Sequence, residues 1–126
     1  MKVISKTQQQ LDAKRLSDLV IEGLQEIKGQ AIVRLDLREV DGAVSDYFVI
    51  CTGTSDKHVQ ALAGSVLKLI KDTTKELPYA REGEVTGEWI LLDYVNVVLH
   101  VFLKEKREFY QIESLWGDAE FEHFED

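Results

Sequence analysis

The segment that most restricts the fold is WILLDYVNVVLHVFL, Trp89 to Leu103, a nearly unbroken apolar run. It is too interrupted to cross a membrane as a helix. A span needs roughly 18 apolar residues, and Asp93, Asn96 and His100 break this one. In water the run has to be buried, and two strands joined by a tight turn bury it while pairing its backbone. Asp93 and Asn96 are the residue types that hydrogen-bond their own turn. The reading is therefore two strands over 88–103 with the turn at Asp93-Tyr94-Val95-Asn96. His100 is a structural polar residue inside the second strand.

The rest of the chain supplies what such a hairpin packs against. From about Thr7 to Lys28, apolar residues fall at Leu11, Leu16, Leu19, Val20, Leu24 and Ile27, a helical spacing, with Thr7 as the candidate cap and Gly29 as a stop. QAIVRLDL, Gln30 to Leu37, is β-branched and alternating enough to be a strand. REVDGAVS holds an Asp-Gly turn. DYFVICTG, Asp46 to Gly53, is continuously apolar, as in a strand buried on both faces. Ser55 is a strong N-cap, and Asp56 suits the positive helix end, so a second helix runs from there to before Pro78. Residues 79–87 read as a loop with a short edge strand. Phe109, Ile112, Leu115 and Trp116 place an apolar stripe on a short last helix ended by Gly117. DAEFEHFED is an acidic tail. The expected fold class is α/β: one domain over 1–126, a small mixed β-sheet with helices packed on it. Its core covers about 11–119, and 1–10 and 120–126 are flexible.

Charge and cysteine count limit the function. Fifteen Lys and Arg against 23 Asp and Glu give a net charge of −8. Affinity for nucleic acid rests mainly on cations that displace phosphate counterions, so a chain this acidic has little direct RNA contact. Lys104, Lys106 and Arg107 form a small basic island that Glu105 and Glu108 largely cancel. The single Cys51 excludes an internal disulfide or a cysteine metal cluster. The N-terminus has neither signal-peptide nor transit-peptide character, so the expectation is a cytoplasmic protein with no membrane contact.

Candidate chemistry is sparse. Cys51 lies in the most apolar strand, where a thiol is inert. His58, His100 and His123 show no metal or triad spacing, and no cofactor is expected. TGTSDKH, after a strand and at a helix start, could hold an anion. The same strand–Gly-Ser–helix start occurs in nucleotidyltransferases, which follow it with two metal-binding aspartates. Here there is only Asp72, and no Walker signature. The alternative function is therefore a nucleotidyltransferase-like, nucleotide-binding enzyme that uses Ser55, Asp36 and Asp46. Against it stands an interaction protein anchored by large aromatics, the residues that dominate interface energetics. Trp89 and Tyr94, beside a strand end and a turn, suit a surface as well as a core, whereas Tyr47 and Trp116 read from the residues alone as core.

SDYFVICTGTSDKHVQALA, EWILLDYVNVVLHVF and REFYQIESLWGDA, in that order and spacing, closely resemble the ribosomal silencing factor (iojap) family from about Leu11 to Ala119. The resemblance implies a non-catalytic translational repressor with a nucleotidyltransferase-like shape. Its members bind the large ribosomal subunit through its protein fourteen, block joining with the small subunit under nutrient limitation, and are homodimers when free. It further implies a partner-binding surface on the Trp-led strand: Trp89, Leu91, Asp93 and Tyr94, with Asp46 and Tyr47 beside them. Strand alternation sets Trp89, Leu91 and Asp93 on one face and Tyr94 on the other, so all of them cannot meet one flat partner equally.

Overall fold

The computed structural model describes residues 6–126, with side chains from Asp12 onward. The expectations for residues 1–5, and for Thr7 as a cap, lie outside the described residues and side chains, whereas residues 6–10, expected to be flexible, form the first turns of a helix. In chain order the elements are α1 (Lys6–Glu26), β1 (Gln30–Asp36), β2 (Tyr47–Gly53), α2 (Asp56–Thr74), β3 (Ala80–Glu82), β4 (Trp89–Asp93) and β5 (Val97–Leu103). They are followed by α3 (Lys104–Tyr110), a 3₁₀ turn (Ile112–Trp116) and β6 (Glu120–His123). The strands form one mixed sheet in the order β3-β4-β5-β2-β1-β6. β2 and β5 run parallel at its centre and every other pairing is antiparallel. Both central strands are the continuous apolar runs, as double-sided burial requires.

One face of the sheet is covered by α1 and α2. Leu16, Val20 and Leu24 of α1 and Val59, Leu62, Val66 and Ile70 of α2 pack on Ile32, Val49, Leu92, Leu99 and Val101 from the strands beneath. Ser55 caps α2, its hydroxyl accepting from the His58 N–H at 3.0 Å. Gly29 follows α1 for a reason other than backbone freedom. The left-handed residue is Lys28, at φ 60°, and the Gly29 N–H returns to the Leu24 carbonyl at 2.8 Å. A Cβ on Gly29 would come within 2.6 Å of the Cys51 sulfur, so the position calls for the smallest side chain.

Arg34 of β1 points to the same side and is buried. It donates to Ser17 and Asp18 of α1 and to Glu122 of β6, the last at 2.6 Å, tying helix, sheet and C-terminus together. A buried guanidinium demands that many acceptors.

Two expectations fail at the C-terminal end. Residues 120–126 are not a flexible tail. Glu120 to His123 form β6, antiparallel to β1 from Asp36↔Glu120 to Val33↔His123, and the Asp126 carboxylate accepts from the Ala31 N–H at 2.8 Å. EFEH alternates acid and ring with the period of a strand, and Glu122 meets Arg34. Nor is there one last helix with an apolar stripe. Gln111, left-handed at φ 44°, ends α3, and the 3₁₀ turn that follows buries Ile112 while Phe109 and Leu115 face solvent. Gly117 follows that turn in right-handed conformation (φ −58°), so it does not act as a left-handed stop.

A candidate docking surface on the open face of the sheet

Among the described residues, the opposite face of the sheet carries no long helix. At the β1–β2 end, Ile112, Trp116, Val40, Ala43 and Ala119 pack over Val33, Leu35, Leu37 and Ile50. Toward β4 the cover thins, and Trp89, Leu91 and Asp93 are each half-buried there while Ile90 and Leu92 between them are buried against the helices. The alternation follows from strand geometry alone.

The hairpin register carries the pattern to the neighbouring strand. Trp89 pairs with Phe102 and Leu91 with His100. Phe48 of β2 lies beyond His100, with ring centroids 5.0 Å apart. Ring contacts then run across β2, β5 and β4 and on to α3. Trp116 meets Phe48 edge-on at 5.7 Å, and Trp89 stacks on Phe102 at 4.8 Å. Trp89 also packs on Tyr110 at 4.7 Å, and Tyr110 meets Phe109 edge-on at 5.0 Å. Phe109 is 79% exposed and Tyr110 46% exposed, so the strip has a solvent-facing end rather than a sealed one. Rings held by other rings have little rotamer freedom left to lose on docking.

Within the strip, the indole Nε1–H of Trp89 donates to His100 Nδ1 at 3.1 Å. An indole nitrogen can only donate, so Nδ1 is the acceptor and the imidazole proton sits on Nε2. Burial alone, with no charge beside it, pushes the imidazole pKa down to about 4, so His100 is neutral at pH 7. Its Nε2 is buried and finds no hydrogen-bond partner among the described residues.

Carboxylates border this surface. Glu82 of β3 is directly opposite Leu91, on the same face and exposed. Asp93 closes the edge, its carboxylate accepting from the Val95 N–H at 2.7 Å, the turn role expected of it. Val95 itself is held at φ 75°, a conformation that a β-branched residue tolerates poorly. Asp46 is partly exposed at the mouth of β2, where the Asp46 and Tyr47 N–H groups both donate to the Asn96 carbonyl. The hairpin turn is thereby fastened to the start of β2.

The six residues expected at a partner surface do not share one face. Trp89, Leu91 and Asp93 do, and Asp46 lies at its rim. Tyr47 is 2% exposed and Tyr94 9% exposed, both in the core beneath the helices. The Tyr94 hydroxyl, pushed up to about 12 by burial, lacks a partner among the described residues. The strip also contains Phe48, Tyr110, Phe109 and His100, which the linear reading did not place there. A register for the hairpin would have brought His100 and Phe102 beside Trp89, since a turn centred on 94–97 pairs 89 with 102.

The residues of the enzyme alternative are brought together only in part: Asp36 and Asp46 are neighbours across the β1–β2 pair, where the Leu37 N–H donates to the Asp46 carbonyl at 2.8 Å, but Ser55 is not with them. Ser55 and Asp46 lie at opposite ends of β2, about 20 Å apart for a seven-residue strand. The Asp36 carboxylate is occupied by Arg38, at 2.7 and 3.0 Å, and that pairing holds it below the usual carboxylate range. Burial pushes the Cys51 thiol up to about 12, out of nucleophilic reach. Lys106 and Arg107 of the basic island pair with Glu88 and Glu113. Among the described residues, no helix is long and apolar enough to cross a membrane.

Comparison with known proteins accounts for this fold. A ribosomal silencing factor of Chromobacterium violaceum is 37% identical over 85% of this chain and 86% of its own length, and one from Bacillus subtilis is 37% identical over 86% and 91%. A more distant relative, the mouse mitochondrial assembly of ribosomal large subunit protein 1, is 36% identical over 62% of this chain and 35% of its own length. A crystal structure from C. violaceum superposes with a TM-score of 0.78 at 38% identity, covering 82% of this chain and 85% of that one. A second, from Bacillus halodurans, gives 0.73 at 32% identity over 82% and 94%. The profile described as "Ribosomal silencing factor during starvation" matches residues 10–126, and this chain belongs to that family.

Proposed function

We propose that the protein represses translation by binding the large ribosomal subunit through its protein fourteen and sterically blocking the small subunit from joining, under nutrient limitation. It catalyses no reaction in this role, works in the cytoplasm, makes little direct RNA contact and is a homodimer when free. The observation that carries the reading is the open face of the sheet. A row of mutually packed rings and Leu91 is bordered by Glu82, Asp93 and Asp46 and lies opposite the helix-covered core. Aromatic anchors with an acidic rim suit a basic protein: the rings provide affinity and the carboxylates steer and orient the encounter. A net charge of −8 argues the same way, since it disfavours phosphate backbones.

The test is co-sedimentation with isolated large subunits, with a photo-crosslinking amino acid at Leu91 to name the neighbour. The expected product is a crosslink to protein fourteen. Crosslinks to ribosomal RNA or to an unrelated protein would reject the partner, and failure to co-sediment would reject ribosome docking.

A further inference from the structure

Two polar features of the open face remain unused by the docking reading: the hydrogen bond from Trp89 to His100, and the depth at which His100 is held. The imidazole is 5% exposed. It lies near-parallel to the Phe102 ring at 6.1 Å and has Phe48 at 5.0 Å and Trp89 at 6.0 Å. A buried imidazole surrounded by rings contributes less to packing than a phenylalanine of similar size would, because its nitrogens lose water. One of those nitrogens, Nδ1, recovers a hydrogen bond, and that bond comes from the indole of the partly buried residue at the centre of the strip. His100 stands on a central strand buried on both faces, whereas Trp89 begins β4, just after a loop. The fixed group is the histidine and the group being fixed is the tryptophan.

We propose that His100 is the positioning residue of the docking surface: its Nδ1 anchors the Trp89 indole, so that the ring is presented to the partner in one preset orientation. The inference rests on the docking reading above and deepens it. Without the acceptor, the indole N–H has to find water, and the ring can rotate away from Phe102 and Tyr110 to reach it. Preset orientation lowers the ordering cost of binding, and its loss appears as weaker affinity with the fold intact.

Three measurements test this. On the unmodified protein, imidazole nitrogen NMR at pH 7 reports the tautomer of His100. The expected result is an unprotonated Nδ1 and a protonated Nε2, and the opposite tautomer overturns the proposal whatever any variant does. His100→Phe keeps a ring of similar size and removes the acceptor. The Trp89 indole N–H resonance, assigned against Trp116→Phe, should move upfield and exchange faster with water. Affinity for isolated large subunits should fall about tenfold while the melting temperature stays at or above that of the parent. His100→Asn, whose amide oxygen can stand in for Nδ1, should recover part of both. An unmoved indole resonance, or full affinity in folded His100→Phe, overturns the positioning role. Trp89→Ala in the same assay separates the two readings. If it binds as well as the parent, docking through this face is wrong. If it binds weakly while His100→Phe binds fully, only the positioning role falls.

Discussion

The two faces of one sheet are built from alternate residues of the same strands, yet they are organised differently. Beneath α1 and α2, aliphatic side chains from helix and strand interlock and are almost fully withdrawn from water. On the other side, rings stack on rings, Trp89 and Leu91 are only partly buried, and a buried neutral histidine accepts a hydrogen bond from an indole. Aliphatic packing of the first kind gives stability. Rigid, partly exposed rings with a polar anchor give less stability and leave apolar area in contact with water, the kind of patch that marks interaction sites. The contrast teaches that an odd polar residue in an apolar run is a cue to ask which face it serves: Asp93 and His100 both serve the open one.

The contrast breaks or sharpens under substitution. The largest effect belongs to the helix side. Leu99→Ala, at a fully buried position, should cost roughly 2–5 kcal/mol in urea unfolding while the molecules still folded bind large subunits normally. An affinity loss in that variant equal to that of Trp89→Ala would erase the distinction between the faces.

Acid comes next. An unfolded histidine takes up its proton near pH 6.5, and His100 only near 4. Between those values the unfolded chain binds the extra proton, so stability falls as pH drops from about 6.5 to about 4, by on the order of 3 kcal/mol. His100→Phe should flatten that part of the profile, and an unchanged slope would mean that other groups govern it.

Trp89→Ala should weaken large-subunit binding by about 2 kcal/mol, measured on protein verified as folded. The smallest effect lies at the turn. Val95→Gly relieves the positive φ at an exposed position and should raise stability by about 1 kcal/mol, seen as a higher urea midpoint at an unchanged slope.

Much of this was legible in the chain. The hairpin over 89–103, the continuous runs of β2 and β5, and the Ser55 cap follow from local chemistry that tertiary contacts reinforce. β6 was hidden because its alternation is of acids and rings, with no aliphatic face. Its place depends on Arg34 and the β1 edge, 88 residues away in the case of Glu122. The break at Gln111 was hidden because the helical spacing of Phe109, Ile112, Leu115 and Trp116 continues through it. Of the candidate site, Trp89, Leu91 and Asp93 could be grouped by parity. Tyr47 and Tyr94 were drawn in by residue type, and parity already set Tyr94 apart. The role of His100 needed the cross-strand register, which no single strand contains.

The central claim is that this open face stops subunits from joining. Purified large and small subunits should be mixed with increasing factor, and whole ribosomes separated by sedimentation. The parent protein should suppress whole-ribosome formation, and folded Trp89→Ala should require roughly 30-fold more to do so. Undiminished joining at saturating parent protein, or equal potency of Trp89→Ala, would contradict that claim.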